Sequence, residues 1–132
     1  MQLIFVRHAQ SANNVLFETE KTITRSEFES LRSHDPSLSD LGHRQAMELG
    51  IGIERGMRKR LGPVVRDLAK KSGRVVSSPR VHVAVSPMRR TLLTAAPMIK
   101  TLESMHADSK ISLKSVEVVP FIFENGGCYD QI

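Results

Sequence analysis

The feature that most constrains this chain is its start, where the unbroken apolar run Leu3-Ile4-Phe5-Val6 delivers Arg7, His8, Ala9, Gln10 and Ser11, with Asn14 six residues past the histidine. Four apolar residues without alternation suit a strand covered on both faces, as in a parallel α/β sheet. Ligands of such sheets collect beyond the carboxyl ends of the strands. The run therefore predicts a buried strand ending in a polar, cationic loop, with His8 where chemistry is usually done.

The chain has 132 residues, about one domain, and could bury roughly two thirds of the surface of its unfolded form. Residues 1–132 are read as a single domain. No apolar stretch approaches the length of about 18 residues that a membrane span needs, so a membrane partner is not expected. The start lacks the basic segment, long apolar stretch and small-residue cleavage site of a secretory signal. A cytoplasmic location is the expectation. Cys128 is the one cysteine, which rules out an internal disulfide and agrees with a reducing compartment.

A net charge of +5 favours anionic partners, phosphorylated metabolites and nucleic acid among them. The basic residues Arg55, Arg58, Lys59, Arg60, Arg66, Lys70 and Lys71 are interrupted by acids and glycines and have no aromatic residues between them. They read as a solvated helix face, and nucleic acid is disfavoured as a partner.

Further along, Thr24-Arg25-Ser26-Glu27 has capping-box spacing and starts a short helix to about Arg32, within an otherwise irregular excursion. Asp35 to Ser39 reads as a turn, with Ser39 as N-cap of a helix running to about Arg60. Ala46, Leu49, Ile53, Met57 and Leu61 recur there at spacings of three or four. Gly50, Gly52 and Gly56 each weaken that helix by about 1 kcal/mol relative to alanine, so packing must hold it. Pro63 is expected to open a further helix with Val64, Val65, Leu68 and Ala69 as its apolar face. Gly73 to Pro79 is a connection, Val81 to Val85 a strand, and Met88 to about Met105 a helix that Pro97 kinks or divides. A third strand is expected around Val116 to Val119. The order predicts an α/β fold with a mostly parallel sheet.

The second strand ends in Ser86-Pro87-Met88-Arg89-Arg90, so two strand ends each present cations. If the strands are neighbours, two guanidinium groups can hold the outer oxygens of a phosphate while an imidazole nitrogen attacks phosphorus. An amide donor such as Asn14 completes a sensible set for phosphoryl transfer. His34, His43, His82 and His106 show no spacing that suggests a metal site, and no cofactor is expected.

Arg7-His8-Ala9-Gln10-Ser11-Ala12-Asn13-Asn14 resembles the signature of the histidine phosphatase superfamily, the phosphoglycerate mutase-like proteins. Three further blocks resemble it in order: Asp35, Leu38, Ser39, Gly42, Gln45 and Ala46; Ser86-Pro87-Met88-Arg89-Arg90-Thr91 with Thr94 and Ala95; and Pro120 to Glu124. The resemblance implies a three-layer α/β/α domain. It implies that His8 becomes a phosphohistidine, that Arg7 and Arg90 clamp the phosphoryl oxygens, and that Asn14 lines the phosphate pocket. Glu124 would protonate the leaving oxygen and then activate water, with Asp130 a weaker alternative. The expected activity is metal-independent phosphomonoester hydrolysis on a phosphorylated small molecule or protein; mutase-type transfer, or inactive binding of a phosphorylated ligand or protein partner, is the alternative.

Two departures bear on this. Ala9 stands where the family has glycine, a cost of roughly 1 kcal/mol or more if that position needs positive φ. No histidine follows His106, although the family's pocket uses a second one. Losing a preorganised donor of that kind costs roughly 10²- to 10³-fold in rate. The expectation is an impaired catalyst and an incomplete domain lacking C-terminal strands and helices, whose open strand edge is covered by self-association or by a complementary C-terminal segment.

Overall fold

A computed structural model describes residues 2–19, 23–72, 79–109 and 111–122. Among them are four helices and one two-stranded parallel sheet: α1 (Ala12–Thr19), α2 (Arg25–Leu31), α3 (Asp40–Ser72), β1 (Arg80–Val85), α4 (Arg89–Ser109) and β2 (Ser112–Val118). The fold is a small α/β domain. Among the described residues no helix is long and apolar enough to cross a membrane.

The centre is a β1-α4-β2 unit. Parallel strands cannot be joined by a tight hairpin, and α4 supplies the crossover between them. The register runs from Arg80 opposite Ser112 to Val85 opposite Val118, with Lys114 as an extra residue where the pairing shifts between Val81 and His82. That bulge places His82 opposite Ser115, and His82 Nδ1 lies 2.8 Å from Ser115 Oγ on the exposed face. Towards the other face, Val81, Val83 and Leu113 pack on a buried cluster of Leu102, Met105 and Ile111, which Ile53, Met57 and Leu61 of α3 close from the far side. The stripe expected from spacings of three and four is therefore the one α3 uses.

α3 and α4 approach closely at Gly50. A Cβ there would meet Thr101 Oγ1 at 3.0 Å and the Pro97 carbonyl oxygen at 3.3 Å. Thr101 Oγ1 in turn donates to the Pro97 carbonyl at 3.0 Å. Pro97 lies inside α4 and does not divide it.

Several local signals take the form the sequence anticipates. Thr24 and Glu27 make both halves of a capping box: Glu27 N–H donates to Thr24 Oγ1 at 3.3 Å, and Thr24 N–H donates to Glu27 Oε2 at 2.8 Å. The Thr24 hydroxyl also donates to Glu27 Oε2 at 2.7 Å, and this bond first, the Thr24 N–H second, holds the Glu27 carboxyl below the ordinary glutamate range. Ser39 Oγ accepts from Gly42 N–H at 3.0 Å, as an N-cap of α3 should.

Three expectations need correction. Leu3 to Val6 is not a strand: it carries no sheet pairing among the described residues and all four side chains are exposed, Phe5 at 93%. A strand exists only where a neighbour takes its hydrogen bonds, and here β1 and β2 pair with each other while neither pairs with this run. Second, Pro63 does not start a new helix; α3 is one helix of 33 residues, about 50 Å long at 1.5 Å per residue. The bond that Pro63 cannot donate would go to the carbonyl of Lys59, an exposed position at which solvent can satisfy that oxygen, and Val64 is exposed rather than part of an apolar face. Third, the supposed irregular excursion contains α1. Its signal was present as Ser11 and Asn14, a reciprocal cap with asparagine in place of the usual glutamate: Asn14 N–H donates to Ser11 Oγ at 3.3 Å and Ser11 N–H to Asn14 Oδ1 at 2.9 Å. Gly73 to Ser78 of the expected Gly73 to Pro79 connection, and Glu124, Cys128 and Asp130, lie outside the described residues.

Candidate functional site

The segment His8 to Ser11 is anchored from three directions. An isolated antiparallel bridge pairs Ser11 with Leu38, with Ala12 N–H donating to the Ser37 carbonyl and Ser39 N–H to the Gln10 carbonyl, each at 3.0 Å. From α3, Gln45 Oε1 accepts from Gln10 N–H at 2.9 Å. Gly42 lies so close that any Cβ would overlap the Gln10 carbonyl oxygen, so a side chain here would force the Gln10 backbone to shift. From α4, Thr94 Oγ1 accepts from Ala9 N–H at 3.0 Å. Ala9, Leu38 and Ala46 are buried together, with Leu93 of α4 against them. The first three sequence blocks thus meet in space.

His8 is half-buried, and its Nδ1 lies 2.8 Å from the Ala9 carbonyl oxygen. A carbonyl only accepts, so Nδ1 must carry the proton of this bond. In the neutral ring Nε2 is then left with its lone pair. The arrangement suits a nitrogen nucleophile.

Arg90 lies in the first turn of α4 and is 7% exposed. Its carbonyl accepts from Thr94 Oγ1 at 2.7 Å, the same oxygen that receives Ala9 N–H. Backbone atoms of the His8 loop and of Arg90 are therefore joined through one hydroxyl. Asp35, in the turn before α3, braces the same end of α4, its Oδ1 accepting from Arg89 N–H at 2.9 Å.

Asn14 is drawn into capping α1, its Oδ1 accepting from both the backbone N–H and the hydroxyl of Ser11 at 2.9 Å. Only its NH₂ group is left to face a ligand. Asn13 ties α1 to the end of α2, donating to the Ser33 carbonyl at 2.8 Å and accepting from Ser33 N–H at 3.0 Å. Arg7 is exposed and makes no hydrogen bond or ion pair with a described residue. Among the described residues no three His, Cys, Asp or Glu side chains are grouped to hold a metal ion.

The sequence pointed to His8, Arg90 and Asn14 on chemical grounds and left unread the hydroxyl that joins the His8 loop to the main chain of Arg90. Thr94 was visible four residues after Arg90, the spacing at which a threonine hydroxyl reaches back to a helix carbonyl. Its second bond, to Ala9 across the fold, had no local signal.

Comparison with protein-family models, with curated proteins and with solved structures returned no match.

Proposed function

We propose that the chain is a histidine phosphatase-like protein that hydrolyses phosphomonoesters, without a metal, through a phosphohistidine on His8. The observation that carries this reading is the His8 ring, whose Nδ1–H is given to the Ala9 carbonyl so that Nε2 is the available nucleophile. Nε2 attacks phosphorus, the P–O ester bond breaks, and the leaving oxygen takes a proton from Glu124. Water then attacks the phosphohistidine, Glu124 accepts its proton, and the P–N bond breaks to release phosphate and restore the imidazole. Arg90 and Arg7 offset the charge of the phosphoryl oxygens, and the Asn14 NH₂ group donates to one of them.

The substrate is a phosphorylated small molecule or protein, and the setting is cytoplasmic. The three-layer α/β/α form belongs to the same proposal, with the parallel β1-α4-β2 unit as part of its middle and outer layers. The exposed Leu3–Val6 run supports a further strand partner, from a second copy or a complementary segment.

A second reading, binding of a phosphorylated ligand without turnover, is favoured by Arg7, which no described contact holds in a clamping position. The test separates them. The chain is incubated with an aryl phosphate, and acid-labile phosphate on protein and free phosphate are both measured. Label and release that vanish in His8→Ala support the enzyme. Absence of label with ligand protection of the fold supports the binding role.

A further inference from the structure

We infer that Thr94 is a positioning residue, which sets the nucleophilic ring of His8 against the guanidinium of Arg90. This rests on the phosphohistidine reading above. Thr94 is 4% exposed, and its hydroxyl has one hydrogen to give. That hydrogen goes to the Arg90 carbonyl at 2.7 Å, and an oxygen lone pair receives Ala9 N–H at 3.0 Å. The two partners are not neighbours in sequence: Ala9 and Thr94 are 85 residues apart. One is the peptide N–H that joins His8 to Ala9, and the other is the main chain of the residue that supplies the clamp.

The ring of His8 has its own tether to the Ala9 carbonyl, 2.8 Å away. Both polar groups of Ala9 are thus engaged, the carbonyl by the ring and the N–H by α4. Ala9 is itself buried. If the hydroxyl is removed, the Ala9 N–H must find another acceptor or move towards water, because a buried donor is costly to leave unmade. Either movement turns the His8 ring relative to the main chain of α4 at Arg90.

Thr94→Val keeps the shape of the side chain and removes both bonds, and Thr94→Ser keeps both bonds. Phosphorylation of His8 by an aryl phosphate should slow by about tenfold to a hundredfold in Thr94→Val, the range expected for a reacting group displaced by about 1 Å. The KM for the donor should stay near that of the unaltered chain, since both guanidinium groups remain and Arg90 keeps its place in the first turn of α4. Thr94→Ser should restore most of the rate. Hydrogen exchange at the Ala9 amide should accelerate in Thr94→Val and remain slow in Thr94→Ser.

A Thr94→Val protein that takes up label at the original rate, or whose loss is entirely in KM, overturns the inference. So does an Ala9 amide that stays equally protected without the hydroxyl, a measurement that needs no turnover. Should the unaltered chain take up no label, the phosphatase reading falls by itself. Equal Ala9 exchange in the two variants would then overturn the positioning role too, and faster exchange in Thr94→Val alone would uphold the hydroxyl's hold on the loop.

Discussion

Two buried clusters lie along α4, and they are held by different kinds of force. Towards the carboxyl half of the helix, Leu102, Met105 and Ile111 form an apolar cluster enclosed by residues from α3, β1 and β2. Towards the amino half, Ala9, Leu38 and Ala46 are small or few, and the segments carrying them are fixed by directional bonds through Thr94, Gln45 and Ser39. Apolar burial is non-directional and tolerates small shifts, whereas hydrogen bonds specify position. The first cluster keeps the chain folded. The second decides where an imidazole points.

The largest effect should come from the apolar side. Leu102→Ala removes a fully buried side chain from the centre of that cluster and should cost about 2–5 kcal/mol, measured by denaturant unfolding. Ala9 amide protection should fall only as far as global stability does. Selective loss of protection at Ala9 would show that the two clusters are one unit.

Gly42→Ala comes next. Its methyl group must displace the Gln10 carbonyl, an overpacking cost of about 1–3 kcal/mol. Hydrogen exchange should accelerate at Ala9, Gln10 and Ser11 before it does in β1 and β2. Uniform acceleration across the sheet would break the distinction between the regions.

The smallest effect lies outside both clusters and serves as their control. Hydrogen bonds from Thr24 lower the Glu27 pKa, so the capping box stabilises α2 above the ordinary glutamate range and is lost as pH falls through the lowered value. Acidification in that window should loosen the first turn of α2, read from its amide shifts. The signals of Ala9 and Leu102 should not follow this transition.

Capping motifs and helical stripes could be read from the chain because their causes are local. The Thr24–Glu27 box, the Ser39 cap and the Ile53, Met57 and Leu61 stripe each depend on residues within a few turns. The run Leu3 to Val6 shows the opposite case. It is more apolar than β1, yet β1 pairs with β2 and the run pairs with nothing described, a difference no window of a few residues contains. Of the site, His8, Arg90 and Asn14 were visible as residue types at telling positions. The Ala9–Thr94 bond was not, since it requires knowing that α4 passes the opening loop. Nor did the sequence reveal that Asn14 spends its oxygen on Ser11.

The contact between His8 Nδ1 and the Ala9 carbonyl has a mechanical consequence. A side chain leashed to the very next residue has no independent compass: when that stretch of main chain turns, the ring turns with it. Steering of the imidazole is therefore delegated to whatever grips the loop from outside, and a substitution far along the chain can spoil its aim without ever touching it.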